Sequence, residues 1–278
     1  MENTKTELLE LVRRKDLLGA ALMLGRIHDA RFDVEIYRDR VLELASRVWQ
    51  RLGRGRQHDT MLKAEEVARV LFVEYGFAGK SDRSRHLIDD PFRHYLHTTL
   101  DRKTGSSLAM AVLYLVTAAK AGVEGECIAL PSQYLVRIRT ADGEFYVDAF
   151  DSGKILSREE FQRRIRTAMS RTRLSSTSVY EELTLLQIVA RLVQQLKNAY
   201  VLKGSALEAL RAVELLTALF PQSPELTRDR GILYCEIEYF SKAVQDLHYY
   251  LEQRPNATDV REIRKLTSML KGYREIVN

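Results

Sequence analysis

Cysteine is almost missing from this chain of 278 residues: only Cys127 and Cys235 occur. Neither has a second cysteine at metal-ligand spacing, which excludes a zinc ribbon and a disulfide-stapled secreted scaffold. Cys127 falls in an apolar strand pattern and Cys235 in an apolar helix pattern, as expected of two buried thiols in a reducing compartment. Proline is scarce, with 5 residues, so long stretches are free to be helical. No stretch approaches the roughly 18 uninterrupted apolar residues of a membrane span. The opening Met-Glu-Asn-Thr-Lys-Thr-Glu carries acids and runs into an amphipathic pattern instead of an apolar signal core. A cytoplasmic protein without a membrane partner is expected.

Acidic charge is slightly short, leaving a formal +5. Segment 154–173 alone carries seven basic residues against Glu159 and Glu160. Such a run attracts phosphate or acidic protein surfaces. Phe161 is its one aromatic, so it reads as a solvated helix face and nucleic acid is not the expected partner.

What is present is mostly helical periodicity. Residues 4–28 read as one helix, with Leu8, Leu11, Leu18 and Leu22 in its apolar stripe. Asp33 is placed to cap a helix over 34–52. A third helix covers 60–75 and stops at Gly76, and Pro91 opens a fourth that runs to about 101. The next, 105–121, is apolar almost all round and so belongs in the middle of a domain. Three strands follow: 126–130, 134–139 and 144–150, the last two joined by the hairpin signal Ala141-Asp142-Gly143. Alternation puts Gln133 on the face shared by Leu135 and Arg137. Ser157 and Glu160 form a capping box for a helix over 158–168. Ser170 to Ser178 is the best linker candidate.

Beyond about 180 the pattern is helical throughout. Gly231, Tyr234, Ala243, Leu247 and Pro255 fall at the spacing of a tetratricopeptide repeat (TPR). One repeat length earlier stand Tyr200, Ala209, Val213 and Pro221, with Lys197 in the place of the glycine. A small residue where Ala243 stands lets two helices pack closely, and residues 258–276 would form a capping helix.

Five further stretches stand out: Phe32-Asp33-Val34-Glu35-Ile36-Tyr37, Leu71-Phe72-Val73-Glu74-Tyr75-Gly76-Phe77, Leu130-Pro131-Ser132-Gln133-Tyr134-Leu135-Val136-Arg137, Val147-Asp148-Ala149-Phe150-Asp151-Ser152-Gly153-Lys154, and Arg228-Asp229-Arg230-Gly231-Ile232-Leu233-Tyr234. Together they resemble one bacterial family, the SirB-type transglutaminase-like/TPR proteins. The resemblance implies a mainly helical α+β fold: a papain-like transglutaminase core with a small antiparallel sheet, then an all-α TPR-like tail. The divisions expected are an N-terminal helical subdomain over 1–80, the core over 81–172 and the tail over 179–278.

In such a core a helix N-terminus carries a nucleophilic Cys, and neighbouring strands carry a His and an Asp. The matching positions here hold Ser107, Gln133 and Asp148. Many members of the family have a His near the place of Gln133, and this chain departs from them. A hydroxyl depends on a base even more than a thiol does, and an amide cannot take a proton at neutral pH. Losing the base removes a step that typically contributes about 10²–10⁴-fold. Asp148 could hydrogen-bond Gln133, and Gln133 could hold Ser107, as a structural polar clip. His94 and His97 share a helix face, with His86, Asp89 and Asp90 nearby. No clear third ligand accompanies the pair, so neither a metal nor another cofactor is expected.

Two functions remain in contention. The first is a non-catalytic scaffold or regulator whose tail takes a protein or peptide partner through Gln194, Lys197, Arg228 and Arg230. The alternative is a residual Ser-dependent amide hydrolase or acyltransferase that uses Ser107 with a borrowed base.

Overall fold

The computed structural model describes residues 2–53, 59–79, 90–131, 133–172 and 180–277, with the side chains of 168–172 and 271–277 left aside. Contacts divide the chain into two compact units, one of 11–192 and one of 1–10 with 193–278. The helices expected to form a separate subdomain over 1–80 therefore share a unit with the sheet, apart from the first ten residues. The reason is the apolar helix Ser107–Lys120, which those helices cover.

The helix expected over 4–28 is broken. Helix α1 is Glu2–Arg13, Lys15 turns left-handed at φ 58°, and Asp16 caps α2, Leu17–Met23, by accepting the Gly19 N–H at 2.9 Å. A 3-10 turn, Leu24–Ile27, follows. The second helix matches its expected ends: α3 spans Val34–Leu52, the Asp33 side chain accepts from the Glu35 N–H, and Gly53 ends it at φ 75°. Helix α4, Thr60–Ala68, widens into a π-helical turn over Arg69–Glu74. The helix expected after Pro91 is two pieces, because Tyr95 is extended between them: a 3-10 turn, Pro91–His94, and α5, Leu96–Arg102.

Helix α6, Ser107–Lys120, is capped by Ser106 and buried at every residue from Leu108 to Ala118. An apolar surface on all sides must be covered on all sides. Helices α3, α4 and α5 cover it on one side and the sheet on the other.

The sheet has five strands in the order β4-β3-β2-β1-β5, antiparallel at every pairing. Strand β1 is Gly125–Leu130, β2 is Gln133–Thr140 and β3 is Gly143–Asp148. Two strands had no sequence signal, β4 over Lys154–Leu156 and β5 over Glu181–Leu183. Three residues are too few to show an alternation. Helix α6 packs on β1 and β2, where Leu115 meets Gly125. The opposite face carries α7, Arg158–Thr172, over a cluster of Ile128, Leu130, Leu135, Tyr146, Leu156 and Phe161. The Tyr146 and Phe161 rings stack there at 3.7 Å between centroids. Helix α7 takes in the start of the expected linker, and 173–178 lie outside the described residues.

Helix α8 spans Leu185–Leu202. The second unit continues with α9 (Ala206–Leu219), α10 (Pro224–Glu236), α11 (Phe240–Gln253) and α12 (Val260–Val277). Helices α10 and α11 pack most intimately, as the repeat spacing requires. A Cβ on Gly231 would come within 3.0 Å of the Leu247 side chain, and Ala243 is fully buried.

Two positions make the fold testable. Gly153 sits at φ 73° beside Ser152 at φ 51°, in the turn between β3 and β4, and a Cβ there would run into the Phe72 ring of the π-helical turn. Gly153→Ala is expected to destabilise by about 2–3 kcal/mol, read by chemical denaturation. The second position is His97, packed among the Phe32, Tyr37 and Tyr95 rings. Burial chiefly, helped by His28 and opposed by Asp101, lowers its pKa from 6.5 to about 4. The unfolded chain therefore takes up a proton that the folded chain refuses, and stability is lost as pH falls from about 6.5 towards 4. The loss is on the order of 2–3 kcal/mol by pH 4. Thermal melts of His97→Phe should show a shallower fall over that window than the wild type.

Candidate functional site

Ser107 is the first residue of α6, one step inside the Ser106 cap, whose Oγ accepts from the Ala109 N–H at 3.3 Å. This is where helix amides point outward and the helix dipole favours negative charge. The Ser107 hydroxyl is tied to the main chain of β2: its Oγ accepts from the Tyr134 N–H at 2.9 Å and donates to the Tyr134 carbonyl at 3.4 Å.

Gln133 is the first residue of β2, half-buried and opposite Leu130 of β1. Asp148 ends β3 and is 3% exposed. One of its oxygens accepts from the Phe150 and Asp151 N–H groups at 3.1 and 3.0 Å, and the other is held by Arg164 of α7. The register places Gln133, Leu135, Tyr146 and Asp148 on one sheet face, the one α7 covers. Helix α6 lies on the other. The polar clip of Asp148, Gln133 and Ser107 is therefore replaced by two separate arrangements: Ser107 with the Tyr134 backbone, and Asp148 with Arg164. Sequence reasoning missed Arg164, which stood inside a run taken for a solvated basic face.

The other reactive groups are quiet. Burial pushes the Cys127 thiol up to about 12, opposed by Arg191. Burial also raises the Cys235 thiol. A thiol held in its neutral form is a poor nucleophile. His94 closes a 3-10 turn and His97 opens into an aromatic cluster. Among the described residues, no group of three or more His, Cys, Asp or Glu could hold a metal ion. His86 and Asp89 lie outside the described residues.

The four positions expected to meet a partner all have internal bonds. Gln194 donates to Asn198 at 2.8 Å. Lys197 pairs with Asp229 at 2.5 Å. Arg228 pairs with Asp229 and Asp259, each at 2.7 Å, and Asp259 also accepts from the Tyr250 hydroxyl at 2.6 Å. Arg230 grips Asp246 with two bonds of 2.7 and 2.8 Å. The acids Asp229, Asp246 and Asp259 were not anticipated, although Asp229 stands between the two arginines in sequence. Among the described residues no helix is long and apolar enough to cross a membrane.

Residues 35–194 match the transglutaminase-like superfamily, and residues 196–267 match the tetratricopeptide repeat. A UPF0162 protein of Xylella fastidiosa is 28% identical over 206 residues, covering 73% of this chain and 72% of the relative. Protein SirB1 of Salmonella typhimurium is 24% identical over 192 residues, covering 69% and 71%. The UPF0162 protein YchA of Escherichia coli K12 is 24% identical over 191 residues, covering 69% and 70%. Among solved structures, menin, whose crystal structure shows the binding site for the Mixed Lineage Leukemia protein, superposes with a TM-score of 0.50. It has 13% identity and the match covers 93% of this chain and 67% of menin, a likeness of fold alone. With that core over more than half its length, and TPR-like helices after it, the chain belongs to the transglutaminase-like superfamily, with SirB1 among its relatives.

Proposed function

We propose that this protein is a non-catalytic transglutaminase-like/TPR protein that acts as a protein-interaction scaffold or regulator. One observation carries the reading. Both hydrogen bonds of the Ser107 hydroxyl go to the main chain of Tyr134, the shorter being from its N–H at 2.9 Å, and neither an amide N–H nor a peptide carbonyl serves as a general base. Gln133 is an amide, and Asp148 has its lone pairs occupied by Arg164 and two backbone amides. The core then acts as a frame, and recognition falls to the TPR-like helices. A repeat array of this size suits a short extended segment of another protein. Gln194, Lys197 and Arg228 are the proposed contacts, exchanging bonds to Asn198, Asp229 and Asp259 for carboxylates of the partner, while Arg230 stays on Asp246 and holds α10 against α11. The free thiols Cys127 and Cys235 suit a reducing, cytoplasmic setting.

The position of Ser107 at the positive end of α6 is the one feature that favours the alternative, a Ser-dependent amide hydrolase or acyltransferase. A fluorophosphonate probe decides between the two. We expect no labelling of the wild type above that of Ser107→Ala, and strong Ser107-dependent labelling would replace the scaffold reading with the enzymatic one. For recognition, affinity capture with the full chain should retain a partner that the Lys197→Ala/Arg228→Ala variant loses, with retention falling as salt is added. Recovery of the same proteins by both forms would remove these contacts from the proposal.

A further inference from the structure

The unit of 11–192 contains a cavity of about 680 Å³ that nothing above uses. It lies between the turn that opens α2, the C-terminal end of α6, the first residues of β1 and the start of α8. It exists because β5 is short. Strand β5 pairs only with Cys127, Ile128 and Ala129, and Thr184 then turns the chain into α8 with its hydroxyl accepting the Gln187 N–H. Gly125 and Glu126 are left without a strand on that side among the described residues.

The inner wall is apolar, built from the buried side chains of Leu18, Val116, Cys127, Leu183 and Ile188. Charge is confined to the mouth and most of it is cancelled. Asp16 pairs with Arg38 at 3.1 Å, Glu126 pairs with Arg137 at 2.6 Å and Arg139 at 3.1 Å, and Glu182 supplies both arginines with a second carboxylate. Three exposed groups at the mouth have no ion-pair partner among the described residues: Lys15, Lys120 and Glu124. The uncancelled charge is therefore a single positive one.

We propose that this cavity binds a small amphipathic monocarboxylate, its apolar chain against Leu18, Val116 and Ile188 and its carboxylate at the mouth between Lys15 and Lys120. The volume lies inside the range of about 300–1,000 Å³ usual for small-molecule sites. An apolar wall with a few convergent polar groups is the arrangement such sites use. One net positive charge matches a singly charged head, and Glu124 repels a head carrying two. The site does not depend on the partner-binding reading, since it draws on none of Ser107, Gln194, Lys197 and Arg228 and shares with the proposed contacts only α8, whose first turns line it.

The chain carries its own reporter. Trp49 is its only tryptophan, and the indole N–H donates to the Lys120 carbonyl at 3.3 Å, beside the mouth. Full-length protein is titrated with decanoate, decanol and decyltrimethylammonium, each below its micelle concentration, following Trp49 fluorescence and calorimetric heat. Decanoate is expected to bind saturably at one site, more tightly than decanol, and the cation not at all. Lys15→Ala and Lys120→Ala should each weaken decanoate about three-fold, and Glu124→Gln should tighten it about two-fold. Ala119→Phe, an exposed substitution at the mouth, should block binding without unfolding the chain. No saturable decanoate signal would overturn the proposal. Equal affinity for decanol, unchanged decanoate binding in the Lys15→Ala/Lys120→Ala double variant, or binding of a leucine-terminated tripeptide but not of decanoate would do the same.

Discussion

Burial of α6 is the constraint from which the larger unit follows. Eleven consecutive residues of that helix, Leu108 to Ala118, are withdrawn from water, so no side of it can be left uncovered. At about 25 cal/mol per Å² of apolar surface, each large side chain there contributes roughly 1.5–3 kcal/mol. Helices α3, α4 and α5 and the inner sheet face exist to supply that cover. The backbone pays attention to the same need. Tyr114 sends its hydroxyl to the Ala64 carbonyl at 2.9 Å, so even the polar atom of a fully buried ring is satisfied by the covering layer.

Two of the candidate site residues, Ser107 and Asp148, also tie the architecture together. Ser107 anchors the start of α6 to the start of β2 through main-chain atoms, which sets where the helix meets the sheet. Asp148 closes the turn after β3 and receives α7 through Arg164. A nearly buried carboxylate is costly unless paired and hydrogen-bonded, and three partners meet that need. Both residues thus join elements that are distant in sequence.

Much of this was legible in the chain. Asp33 and Gly53 bracket α3 because a short acceptor side chain and a residue tolerant of positive φ are what helix ends require. The three central strands and the Ala141-Asp142-Gly143 turn were equally plain. The break at Lys15 was hidden, because Leu11, Leu18 and Leu22 keep a helical period straight across it. The π-helical widening at Arg69–Glu74 has no local composition to announce it. At the site, the helix-terminal place of Ser107 and the place of Asp148 on the third strand could be read, although that strand was expected to run on to 150 and ends at Asp148. Their partners could not, since one is the main chain of Tyr134 and the other an arginine sixteen residues further on in a basic run. The neutralised state of Lys197, Arg228 and Arg230 escaped notice for a similar reason: the helix pattern gives each cation a face but not the acid opposite it.

The outermost strands have one more effect. Strands β4 and β5 offer only three residues each, and both end in or carry charge, with Lys154 on one and Glu181 and Glu182 on the other. A long, flat, apolar margin would template the addition of a neighbouring molecule, whereas a brief charged one gives an incoming strand little to pair with. The short flanks that went unseen in the sequence thereby guard the sheet against growing sideways into aggregates.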